Sequence, residues 1–124
     1  MSQRVLVVED QEDLRAILRF TLERAGYEVV EAVNGVEGVA KAEASRPDLV
    51  LMDIQMPVLD GYGATRQIKA MAGMERTPVI AVSSFAMKGD EEKARAAGCD
   101  DYVTKPYSPV ALLRLIRGFI GEKA

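Results

Sequence analysis

Three runs of apolar residues, Val5-Leu6-Val7-Val8, Leu49-Val50-Leu51-Met52 and Val79-Ile80-Ala81-Val82, stop abruptly at polar side chains. Each run is strand-length and does not alternate with polar residues, the pattern of a strand covered on both faces in a parallel sheet. Such a strand has no place for charge, so Glu9-Asp10, Asp53 and Ser83-Ser84 are expected at carboxyl edges, where the chain leaves the sheet. Tyr102-Val103-Thr104 reads as another strand, closing in Lys105-Pro106, and Tyr27 to Ala32 as one more.

Between these runs the period changes. Gln11 to Ala25 carries Leu14, Ile17, Leu18, Leu22 and Ala25 at helical spacing, with Glu12 and Asp13 in the first turn and Gly26 as the stop. Phe20 falls far from that stripe and is expected to face solvent or a partner. Asn34-Gly35 turns the chain into a second helix with Val36, Val39 and Ala40 inward, and Arg46-Pro47 ends it. After Asp53, the segment from Ile54 to Gly61 reads as a loop, followed by a short helix facing inward through Ala64, Ile68 and Met71 and by a polar loop from Ala72 to Thr77. Ala86 to Ala97 is mostly alanine and charge, with Met87, Ala94 and Ala97 as its inward face, so it is expected to be weakly anchored. The last helix begins with Ser108 as N-cap and Pro109 in first position, and spreads Leu112, Leu113, Leu115, Ile116, Phe119 and Ile120 over a wide face.

Strands alternating with helices through short links predict an α/β domain: a doubly wound five-stranded parallel sheet with helices on both faces. The expected strand order is 2-1-3-4-5, and residues 1–124 are expected to form one domain. That order reverses between strands 1 and 3, which puts a crevice beyond their carboxyl ends, where Glu9, Asp10 and Asp53 fall.

Composition narrows the chemistry of that crevice. A formal charge of -3 with mixed signs leaves no basic stripe for nucleic acid. No apolar stretch approaches the length of a membrane span, and Met-Ser-Gln-Arg lacks the apolar core of a signal peptide, so a cytoplasmic protein is expected. Cys99 is the only cysteine and reads as a buried structural thiol. With no histidine, the available metal ligands are carboxylates and carbonyls, which suit magnesium, calcium or manganese rather than zinc.

Three converging carboxylates would repel one another by several kcal/mol at low effective dielectric, so the cluster calls for a cation. Phosphoryl transfer needs an oxygen nucleophile, a bridging cation and further donors for the moving group. In that reading Asp53 is the nucleophile. Asp10 and Asp53 ligate the metal directly, Glu9 does so through a water, and the backbone carbonyl of Gln55 completes the set. Lys105 and the Ser83 hydroxyl hold phosphoryl oxygens, and Lys105 pairs with the carboxylate while Asp53 is unmodified. A cis peptide between Lys105 and Pro106 would aim the ammonium back into the crevice.

Taken together, Val7-Val8-Glu9-Asp10, the run from Met52 to Gly61, Ser83-Ser84 and the run from Asp101 to Pro106 resemble the receiver domain of two-component response regulators. The run from Phe85 to Asp90 is similar to that of stand-alone receivers and of those fused to hybrid kinases. The resemblance implies a flavodoxin-like fold, an aspartyl phosphate on Asp53 and magnesium as cofactor, with manganese an alternative. The donor it implies is a phosphohistidine on a histidine kinase or phosphotransfer protein. It also implies a switch: Ser83 moves toward the phosphoryl group, and Tyr102 swings from an exposed to a buried position. The signal is then read from the face made by helix 4, strand 5 and helix 5. Phe20 lies on the helix that docks against the donor's helical bundle in this family. Serine at Ser83 replaces the commoner threonine and Ser84 the commoner alanine; Phe85 and Gln55 flank the phosphoryl group. The chain is expected to catalyse only its own phosphorylation and dephosphorylation. It is expected to be a monomer or weak dimer, to bind neither nucleic acid nor membrane, and to signal through protein contact. The competing readings are a receiver module excised from a hybrid kinase or multidomain regulator, a flavodoxin-like cofactor binder, an aspartyl phosphohydrolase and a receiver fold used as a scaffold. Glu9-Asp10 would repel a bound cofactor phosphate, and Asp53-Ile54-Gln55 lacks the second aspartate of the hydrolases.

Overall fold

A computed structural model of the chain describes residues 3–56, 59–83, 90–105 and 107–121. Five strands, β1 (Arg4–Val8), β2 (Glu28–Ala32), β3 (Leu49–Asp53), β4 (Val79–Ser83) and β5 (Asp101–Thr104), alternate with α1 (Glu12–Arg24), α2 (Gly35–Ser45), α3 (Gly61–Lys69), α4 (Asp90–Ala96) and α5 (Pro109–Ile120). All pairings are parallel, and the strand order is β2-β1-β3-β4-β5. This is the α/β architecture and the order expected from the sequence.

Although the central strands are apolar throughout, their side chains still alternate between faces. Leu6, Val8, Val50, Met52, Val79 and Ala81 meet α2, α3 and α4 through Ala42, Ala64, Ile68 and Ala94. Val5, Val7, Leu49, Leu51 and Ile80 meet α1 and α5 through Leu18, Leu22, Leu112 and Ile116. Extending this parity past the strand ends places Glu9, Asp53 and Lys105 on the α1/α5 side. Ser83 and Tyr102 fall on the opposite side.

Helix starts follow local chemistry. The side chain of Asn34 accepts from the backbone N–H of Glu37, that of Asp60 from Gly63, and that of Ser108 from Ala111, with Pro109 at the first position of α5. Arg46 closes α2 in a left-handed conformation with φ 49°, and its guanidinium donates to the carbonyl of Ala72.

Three sequence expectations about packing fail, each for a spatial reason. Val36 and Ala40 do not face inward: Val36 is 54% exposed, and α2 instead buries Gly35, Gly38 and Ala42. The helix lies too close for large side chains, since a Cβ on Gly38 would come within 2.9 Å of Val8 Cγ2. Ile17 is 52% exposed because α1 buries only the line through Leu18 and Leu22. The stretch from Ala72 to Thr77 is not wholly polar in its role, for Met74 turns into the core. Of the Ala86 to Ala97 helix, Met87 lies outside the described residues, whereas Ala94 and Ala97 are buried as expected. Cys99 is buried, with Sγ 3.7 Å from Thr65 Oγ1, and burial raises its thiol pKa.

Candidate metal centre

The end of β1, the end of β3 and the residue after β5 converge at the carboxyl edge of the sheet. Glu9 and Asp53 are buried and Asp10 is exposed, and one carboxylate oxygen from each lies within 4.8 Å of the others. Two acids at the bottom and one at the rim suit a hard cation that keeps some of its water.

The sequence places these groups through short, well-determined links. The Glu9 N–H donates to the Ala32 carbonyl at 3.0 Å, which continues the β1–β2 ladder by one residue. Its carboxylate accepts from the Gln11 N–H at 3.1 Å, and its carbonyl from Arg15 Nη1 at 2.9 Å. Asp53 is the last residue of β3, and its Oδ1 accepts from the Gln55 N–H at 3.1 Å. Gly61 allows α3 to begin hard against this strand end: a Cβ there would collide with the Asp53 carbonyl oxygen and stand 2.8 Å from Ile54 Cα.

Lys105 Nζ stands 3.0 Å from Glu9 Oε1 and 3.6 Å from Asp53 Oδ2. The lysine therefore reaches Asp53, as the sequence reading required, but its shorter ion pair is with Glu9. One ammonium against three carboxylates leaves the cluster net negative. Burial, followed by the charge of Glu9, pushes the Asp53 carboxyl up from 3.8 to about 7, against the opposing pull of Lys105. Such a carboxyl gains most when a cation takes the place of its proton.

Ser83 is fully buried, and its hydroxyl accepts from Gln55 Nε2 at 2.8 Å. This bond was not expected: sequence reasoning gave Gln55 a backbone role and a place beside the phosphoryl group, whereas its side chain reaches across to β4. Tyr102 is half-buried, its ring against the α2/α3/α4 side of the core. Phe20 is 62% exposed on α1, with the Arg24 guanidinium 5.4 Å from its ring centroid. Pro106, and with it the expected cis peptide, lies outside the described residues, as do Ser84 and Phe85.

Sequence reasoning passed over Tyr107. Its hydroxyl is buried beneath the acids, and burial together with the charges of Glu9 and Asp53 raises its pKa, so the phenol keeps its proton. Its one sequence signal is position, since it stands two residues after Lys105. Among the described residues no helix is long and apolar enough to cross a membrane.

A family model described as the response regulator receiver domain matches residues 5–117. The polar-differentiation response regulator DivK of Brucella anthropi is 41% identical over 122 residues, spanning 98% of this chain and 99% of that protein. DivK of Brucella ovis is 39% identical over the same shares. Among solved structures, the receiver domain of sensor histidine kinase PA1611 from Pseudomonas aeruginosa has a TM-score of 0.90 at 38% identity, covering 98% of this chain and 100% of that one. That structure has a magnesium ion coordinated in its active site cleft. The chemotaxis protein CheY4 of Vibrio cholerae has a TM-score of 0.91 at 28% identity, over 96% of this chain and 99% of its own.

Proposed function

Since the chain belongs to the response regulator receiver domain family, we propose that it is a phosphoacceptor switch whose Asp53 takes a phosphoryl group from a partner's phosphohistidine. The donor is a histidine kinase or a phosphotransfer protein, because the chain has no histidine of its own. The observation that carries this reading is the gathering of Glu9, Asp10 and Asp53 oxygens within 4.8 Å, with Lys105 against two of them.

Asp10, Asp53 and the backbone carbonyl of Gln55 would hold magnesium, with Glu9 acting through a water. Bound there, the ion supplies positive charge to the phosphoryl oxygens. A carboxylate oxygen of Asp53 attacks phosphorus, the P–N bond breaks, and the imidazole leaves with the electron pair. Lys105 then leaves its pairing with the carboxylates for a phosphoryl oxygen, gaining a stronger charge-assisted bond. Ser83 follows a different route. Its hydroxyl is engaged by the Gln55 amide at 2.8 Å, so it reaches the phosphoryl group only by exchanging that bond. Movement of Ser83 vacates space on the side of the sheet where Tyr102 packs, and the change passes to the α4-β5-α5 face, which a downstream protein reads. In this role the protein works in the cytoplasm and turns over only its own phosphoryl group.

Intact-mass measurement after incubation with acetyl phosphate and magnesium tests the reading. One added phosphoryl group is expected on the wild type and none on Asp53→Ala. An unmodified wild type, or an increment that survives the substitution, would sink it.

A further inference from the structure

The underside of the acidic cluster holds a small cavity that the proposed phosphotransfer chemistry leaves unexplained. Its volume open to the centre of a water molecule is ≈ 10 Å³, about the space of a single water. Glu9, Asp53 and Tyr107 line it together with the apolar side chains of Val7, Leu51 and Val82. Strand parity accounts for this wall: Val7 and Glu9, and Leu51 and Asp53, are alternate residues on the α1/α5 side of the sheet. The Tyr107 ring packs against the apolar core of the same side. Its hydroxyl oxygen is buried and has no hydrogen-bond partner among the described residues.

A buried hydroxyl without a partner, and a cavity of one water's size lined by two acidic residues, explain each other. An apolar void of this size would stay dry. A polar one with three partners is the usual setting of a structural water. We propose that a single ordered water in this cavity bridges the Tyr107 hydroxyl to the carboxylates of Glu9 and Asp53, making Tyr107 a positioning residue for the metal centre. The phenol donates to the water oxygen, and the water gives one hydrogen to each carboxylate. The carboxylates are thereby held from below, in addition to the backbone donors Gln11 to Glu9 at 3.1 Å and Gln55 to Asp53 at 3.1 Å. With their inner sides fixed, the oxygens that face Asp10 are set in place before a cation arrives.

This inference rests on the reading of Glu9 and Asp53 as part of a magnesium site, and the test separates the two. Magnesium affinity, with the metal alone as probe, is measured by titration calorimetry on the full chain for wild type and Tyr107→Phe, which keeps the ring and loses the oxygen. An atomic-resolution crystal structure of the wild type shows whether the cavity is filled. The expected result is one well-ordered water in the wild type and a magnesium dissociation constant raised roughly tenfold in Tyr107→Phe. A dry wild-type cavity overturns the inference. So does a variant whose melting temperature falls while its magnesium affinity is unchanged, since that is what a packing role alone would produce. A wild type that binds no magnesium overturns the proposed function as well.

Discussion

Asp53 is only 3% exposed, yet the proposed chemistry needs it ionised. Its carboxyl titrates near 3.8 in the unfolded chain and is raised to about 7 in the folded one, first by burial and then by Glu9. Between those values the folded state holds a proton that the unfolded state has released. With respect to this group, stability is therefore full below about pH 4 and is lost as pH rises toward about 7. The loss is on the order of a few kcal/mol in the metal-free protein. Asp53→Asn keeps the shape and removes the charge. Its metal-free melting temperature is expected to exceed that of the wild type at pH 7.5 and to converge with it near about pH 4. Thermal melts in chelator across that range check this; a constant gap at every pH would contradict it. Magnesium competes with the same proton, so its affinity for the wild type is expected to climb as pH rises toward about 7.

Glycines show, element by element, where helices press on the sheet and where they do not. Gly61 opens α3 against the end of β3, and an added methyl would strike the Asp53 carbonyl and Ile54 Cα, both of them backbone that cannot yield cheaply. Gly61→Ala is expected to cost roughly 1–3 kcal/mol and to displace the acceptor carboxylate. Slower labelling by acetyl phosphate should accompany the lower melting temperature. Gly118 sits inside α5 with nothing within 4 Å of an added Cβ. Gly118→Ala is expected to stabilise by about 0.5–1 kcal/mol, through the entropy a helical glycine loses on folding. Denaturant melts of both variants check the pair, and equal shifts of one sign would refute the packing assigned to α3 or α5. The same close approach explains why α2 turned Gly35, Gly38 and Ala42 inward with Val39 beside them, and left outside the Val36 and Ala40 that its periodicity also favoured. Burial depended on interaxial distance, which a single helix's pattern does not contain.

For the whole molecule, the exposed apolar residues of α1 lie on the helix that follows Asp10 out of the acidic crevice. Ile17 is 52% and Phe20 62% exposed, three residues apart and so on neighbouring turns of one face. In the proposed function a donor histidine must come within bonding distance of Asp53, so its protein has to cover the crevice rim, and the exposed face of the helix that leaves that rim is available to it. Phe20→Ala or Ile17→Ala is expected to slow transfer from a cognate phosphohistidine on the order of tenfold, the scale of an interface anchor. Labelling by acetyl phosphate, which needs no docking, should be unchanged. Equal slowing with both donors would place the defect in the site instead.

Much of this was legible beforehand, because its causes are local. Unbroken apolar runs, the charged residues that ended them, the Asn34-Gly35 turn and the cap at Ser108 determined the strands, several helix starts and the gathering of Glu9, Asp10, Asp53 and Lys105 in one crevice. Burial excludes charge from a central strand, so its ends had to carry the polar groups. What only the tertiary structure decided depends on distances between parts of the chain that local pattern does not connect. The nearer pairing of Lys105 with Glu9, the Gln55 side chain bonded to Ser83, Ile17 left outside and Met74 taken inside all belong here. So does the cavity under Tyr107. Periodicity says which side of an element is apolar; only packing sets how close its neighbours come, and the hydrogen bonds and voids of this site are fixed by that closeness.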